Sequence, residues 1–131
     1  MLSMGRGTEA PFELYGHPDL RGYDYTFTPA PNAGSAKPPH MGKLCYGRDL
    51  RTLPNEDIWR EGIDLRYIID AYHNLAIEEK FFTQMFEKLI GVSYVREMIM
   101  AGYSAEEIEA RWAEDVEKFK EQRRKYLIYN E

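Results

Sequence analysis

The stretch YDYTFTPAPNAGSAKPPHMGKLCYGRDLR, residues 23–51, decides the fold class. Its first six residues alternate: Tyr23, Tyr25 and Phe27 share one face, and Asp24, Thr26 and Thr28 share the other. Aromatic and β-branched residues at period two predict a half-buried strand over 23–28, which ends at Pro29. Residues 29–42 cannot be regular structure, because prolines remove donors and glycines favour turns. A loop of that length inside a small domain is often functional. A second strand is predicted over 43–51, where Gly47 signals a bulge or a close backbone approach.

Outward from this stretch the chain divides into two unlike halves. All seven prolines lie at or before Pro54, so residues 1–60 read as turns, loops and short strands. Their charges balance, and the net charge of −5 falls in residues 61–131. That second half reads as helix. Asp64 is the expected N-cap of a helix through Ile68, Ile69, Tyr72 and Leu75, with Ile63 and Ile68 as a hydrophobic staple. Phe81, Phe82, Met85, Phe86 and Leu89 then stand at helical spacing, closed by Gly91. A short helix over 93–102 follows. The last helix opens on a capping box, Ser104 with Glu107, and a Tyr103–Ile108 staple. Ile108, Trp112, Val116 and Phe119 run down one face. Acids crowd its start and Arg123, Arg124 and Lys125 its end, as the helix dipole favours. The closing YLIY is expected to add a short strand. The fold class expected is α+β: a small mixed sheet from the N-terminal half, packed by three to four helices from the C-terminal half.

The 131 residues suit a single domain, and 44% hydrophobic content with 14% aromatics can fill one core. Net charge −5 without a long basic run disfavours nucleic-acid binding. No apolar run reaches the ~18 residues that span a bilayer. No signal peptide is visible after Met1. The one cysteine, Cys45, excludes an internal disulfide and reads as a buried strand residue. His17, His40 and His73 lack ligand spacing, so neither a metal nor a cofactor is expected.

The densest turn chemistry lies at the front, in Gly5-Arg6-Gly7-Thr8. The spacing is neither a P-loop nor GxGxxG. A plain turn explains it; so does a loop that approaches a ligand closely, with Arg6 and Thr8 donating to its oxygens. Glu9, Glu13, Asp19 and Asp24 follow, but solvated carboxylates are the ordinary case and no catalytic pair is assigned.

Several segments in this order resemble one family. They are Ser3-Met4-Gly5-Arg6-Gly7-Thr8, Pro11-Phe12-Glu13, Phe27-Thr28-Pro29, Gly42 with Cys45-Tyr46-Gly47, Ala101-Gly102, Ser104 with Glu106-Glu107-Ile108, Trp112, Phe119 and Tyr126 to Tyr129. Together they resemble the C-terminal domain of NamZ-like (YbbC-like) exo-β-N-acetylmuramidases, over almost the whole chain. The resemblance implies glycoside hydrolases that release N-acetylmuramic acid from peptidoglycan fragments, often secreted or periplasmic. It implies a Rossmann-like N-terminal catalytic domain, absent from this sequence, with the sugar cleft where the domains meet. Catalytic residues are therefore assigned to none of the present positions. Arg6 and Thr8 become candidates for the sugar's carboxylate or hydroxyls, with Glu13, Asn32 and Tyr46 behind them. Met4 stands where many relatives carry an acid. On this reading residues 1–22 are a junction segment, residues 23–60 strands and loop, and residues 61–131 helices and a terminal strand. The chain would be an accessory domain, inactive alone, whose loop at 3–9 is poorly ordered without its partner. The alternatives are a stand-alone module binding glycans or muropeptides in an aromatic-rimmed groove near Tyr15, Tyr23 and Tyr46, or an oligomerising structural domain.

Overall fold

The computed structural model describes residues 1–56 and 62–129. Among them, strands β1 (Leu14–His17), β2 (Tyr25–Phe27) and β3 (Cys45–Asp49) form one sheet in the order β1-β3-β2, and both pairings are antiparallel. Helices α1 (Arg66–Leu75), α2 (Gln84–Ile90), α3 (Tyr94–Met100) and α4 (Ala105–Arg123) follow. The domain is α+β, with strands in the first half and helices in the second.

Strands β2 and β3 fall inside the stretches predicted for them. Strand β1 has no comparable signal, because it is four residues long and carries Gly16 in its middle. It forms because β3 offers it a partner edge. Gly16 and Gly47 face each other across that pair. A Cβ on Gly47 would stand 1.8 Å from the Tyr15 carbonyl oxygen, so the close backbone approach is real.

Side chains alternate across the sheet. Leu14, Phe27 and Cys45 turn to one face, where Ala10 closes a small buried cluster. Tyr15 and Tyr46 belong to the other, packed with Leu20, Ala71, Leu75 and Phe81. A third cluster joins Leu65, Val95, Ile99, Ala105 and Ile108. Ile68, Tyr72 and Phe82 touch both helical clusters and weld them into one core.

The N-cap of α1 is Leu65 rather than the expected Asp64, and it makes no side-chain capping bond. Asp64, one residue upstream, accepts the Arg66 amide on Oδ1 at 2.9 Å, and the Arg66 guanidinium forks onto both of its oxygens. Ile63 does not close the staple. It stays 63% exposed and borders Trp112 of α4. The single helix expected across residues 78–90 is broken into a 3-10 turn, Glu78–Phe81, and α2. Phe82 at the break is extended, with φ −90° and ψ 139°. In a continuous helix, adjacent phenylalanines would diverge by about 100°. The break lets both reach the core, where Phe82 stacks on Tyr72 with ring centroids 5.5 Å apart and meets Phe81 edge-on at 5.0 Å.

The capping box of α4 forms in both directions. The Glu107 amide donates to Ser104 Oγ at 3.2 Å, and the Ser104 amide to Glu107 Oε2 at 2.8 Å. The expected terminal strand is absent among the described residues. Arg124–Tyr126 make one 3-10 turn, and 127–129 find no strand edge to join. Residues 130–131 lie outside the described residues, as does 57–61.

Candidate functional site

The front loop is braced by several hydrogen bonds to distant and local backbone. Ser3 exchanges two backbone bonds with Gly16, at 2.8 and 3.0 Å, extending the sheet beyond β1. The Phe12 amide donates to the Met4 carbonyl at 2.8 Å and closes the loop on itself. Inside it, the Thr8 hydroxyl donates to the Gly5 carbonyl at 2.6 Å and accepts the Ala10 amide at 3.1 Å. Gly7 has φ +82°, and a Cβ there would stand 2.5 Å from Pro38 Cγ and 2.7 Å from the Ala30 carbonyl oxygen. The Ala30 amide in turn donates to the Gly7 carbonyl at 2.8 Å. The front loop and the loop after β2 are thus packed backbone to backbone. The disorder expected of residues 3–9 gives way to this bracing, which comes from the domain's own sheet and second loop.

Thr8 and Asn32 meet here: Asn32 Nδ2 donates to the Thr8 carbonyl at 3.3 Å, and its Oδ1 accepts the Gly34 and Ser35 amides. Arg6 lies at the exposed tip. Its guanidinium carbon sits 5.4 Å from the centroid of the Phe12 ring, and among the described residues it makes no ion pair. Phe12 holds φ +69° while 64% exposed, an unusual conformation for a bulky residue. Glu13 follows on the surface, its carbonyl accepting the Leu50 amide at 2.8 Å. Arg6, Thr8 and Asn32 therefore share one junction, with Glu13 at its margin. Tyr46 is not part of it, because it packs into the helical core on the opposite face of the sheet.

Two clusters escaped sequence reasoning. His17 and His40 meet edge-on with centroids 4.5 Å apart, and His40 Nε2 reaches the Met1 carbonyl at 2.8 Å. The Asp19 amide donates to His17 Nδ1 at 3.1 Å, which places the ring proton on Nε2. Burial first, then neighbouring His40, holds His17 below its ordinary pKa. In the second cluster the Tyr23 hydroxyl donates to Asp70, and Tyr15 meets Tyr23 and Tyr67 edge-on. Burial drives the Tyr23 and Tyr15 phenols up, and the bond to Asp70 adds to the rise at Tyr23. Tyr15 is only 3% exposed, so Tyr15, Tyr23 and Tyr46 form core rather than the rim of an open groove. These pairings join distant parts of the chain and leave no local trace. Cys45 is fully buried, and burial raises its thiol pKa. Among the described residues no three His, Cys, Asp or Glu gather as a metal would need. None of their helices is long and apolar enough to cross a membrane.

The class the structure defines is a small α+β domain that carries one braced Gly-Arg-Gly-Thr loop on its surface. The family follows from comparison. The family model described as "Exo-beta-N-acetylmuramidase NamZ, C-terminal" matches residues 1–129, and the chain belongs to this family. It is 33% identical over 141 residues to the peptidoglycan β-N-acetylmuramidase NamZ of Bacillus subtilis (strain 168), covering 98% of this chain and 34% of that protein. The crystal structure of a DUF1343-family protein from Bacteroides fragilis is similar at a TM-score of 0.96 and 53% identity, over 99% of this chain and 37% of that one. The chain thus spans about a third of the length of the curated relative it matches.

Proposed function

We propose that this domain is the accessory, substrate-binding part of a peptidoglycan exo-β-N-acetylmuramidase. It forms one wall of a sugar cleft whose reacting groups belong to an N-terminal catalytic domain. The match of residues 1–129 to the NamZ C-terminal family carries the reading. N-acetylmuramic acid differs from N-acetylglucosamine by a lactyl carboxylate, and a guanidinium fork suits that group. Arg6 is the exposed cation at the loop tip, and its contact with Phe12 orders the side chain before a ligand arrives. Thr8 and Asn32 brace the loop that presents it. Glu13 stands at its margin as a hydrogen-bond acceptor for sugar hydroxyls. Tyr46 keeps the lesser part of supporting the sheet beneath.

The chain alone is expected to release no N-acetylmuramic acid from a chromogenic N-acetylmuramide. Turnover by the isolated chain would overturn the accessory role. Calorimetric titration with N-acetylmuramic acid should show millimolar binding that N-acetylglucosamine does not match and Arg6→Ala removes. Equal heats for the two sugars would remove the carboxylate from the argument.

A further inference from the structure

Helix α4 presents an apolar surface that the described residues leave uncovered. Ala105 and Ile108 are buried at its start, and Trp112 packs on the same cluster. Beyond that point Val116 is 42% and Phe119 59% exposed on the same stripe. The segment that follows continues in kind, with Tyr126, Leu127, Ile128 and Tyr129 between 42% and 89% exposed. The remainder of the helix is dressed for water. Lys118 pairs with Glu114 at 2.6 Å, Lys120 with Glu117 at 2.7 Å and Arg124 with Glu121 at 3.1 Å. The contrast between a self-paired charged face and a bare apolar stripe marks an interface.

We propose that Val116, Phe119 and the 126–129 segment dock onto the part of the protein that precedes this domain in the longer family members. The shape is the same in the crystallised Bacteroides fragilis relative, yet this domain accounts for only 37% of that chain. The family description places the matched region at the C-terminal side. The bulk of such a protein therefore precedes this domain and is available to cover the stripe. A second copy is a poorer occupant. A coiled coil with a second copy needs apolar heptads sustained over roughly three or more repeats. Here the free stripe comprises Val116 and Phe119 and then leaves the helix. The inference shares with the proposed function the existence of a preceding domain, but none of its sugar chemistry.

The test places aspartate at Phe119 and Ile128 of this chain, and at the aligned positions of the full-length Bacteroides fragilis relative. In this chain the melting temperature and circular dichroism should stay unchanged, because both side chains are already in water. In the full-length relative the melting temperature should fall by roughly 4 °C or more. Val116→Asp and its aligned counterpart provide a second pair. An unchanged melting temperature in the relative overturns the proposal. So does a concentration-dependent dimer of this chain that Phe119→Asp dissolves in sedimentation velocity, since the stripe then belongs to a second copy. Sugar binding is not read in any arm, so a domain that docks but binds no sugar would sink the proposed function and leave this inference standing.

Discussion

The first dozen residues and the last two dozen are opposites. Residues 3–12 hold no helix and no strand longer than a bridge, yet their backbone bonds reach β1 and the loop at 30–38, and Ser3, Gly5, Gly7 and Ala10 are buried. Helix α4 is the longest described element, with a complete capping box and ion pairs along its length, yet past Trp112 its residues through Gln122 are exposed among the described residues. Regularity and integration are independent quantities. A helix forms on contacts within a few residues and persists without tertiary support when its caps and pairs are good. An irregular loop must be held by partners distant in the chain, so its order reports the tertiary fold.

The largest effect that sharpens this contrast is expected at Gly7. Alanine there must adopt φ +82° and place its Cβ 2.5 Å from Pro38 and 2.7 Å from the Ala30 carbonyl oxygen. Backbone strain and overpacking together should cost on the order of 3 kcal/mol. Urea unfolding of Gly7→Ala measures it. A loss below about 1 kcal/mol would mean that the front loop is a loose flap and that the contrast with α4 is false.

A smaller effect is expected at the helix. Ser104→Ala removes the acceptor of the Glu107 amide and opens the capping box. The expected cost is about 1 kcal/mol, because the helix start is anchored by buried Ala105 and Ile108. The loss should register in global stability by chemical denaturation. Amide exchange should rise chiefly in the first turn and leave residues 116–123 unaffected. A cost as large as that at Gly7 would show that α4 is integrated into the core along its whole length.

What the sequence discloses follows the same division. The alternation at Tyr25 and Phe27, the capping box at Ser104 and Glu107 and the stop at Gly91 are local signals, and each lies where it was read. Strand β1 is invisible because its cause is the edge of β3, supplied thirty residues later. The break at Phe82 is invisible because helical spacing cannot say that two adjacent rings must enter one core. The closing YLIY has strand propensity but no sheet edge within reach, and propensity without a partner does not make a strand. At the candidate site the glycines of the front loop announce a turn. Nothing in the sequence announces that Asn32 and Pro38 will brace it, nor that Phe12 will lie beneath Arg6.

The smallest effect probes whether the bracing reaches Met1 through the histidine pair. His17 is pushed below its ordinary pKa of 6.5 chiefly by burial and then by His40, against which it packs at 4.5 Å. A depressed folded-state value means that the unfolded chain binds the proton more readily. The associated stability is whole above pH 6.5, declines as pH falls toward the folded-state value, and is level again beneath it. Asp49 and Asp64, held low chiefly by hydrogen bonds from Arg51 and Arg66, give up their contributions only as pH passes below their ordinary value of 3.8, beneath the pH of about 5 at which this comparison ends. Urea midpoints should therefore fall modestly between pH 7.5 and 5. His17→Asn, which keeps an acceptor for the Asp19 amide, should flatten that slope while leaving stability at pH 7.5 nearly unchanged. An equal slope in the variant would assign the acid sensitivity elsewhere. It would also remove the histidine pair from the contacts that separate the braced front of the chain from its unbraced end.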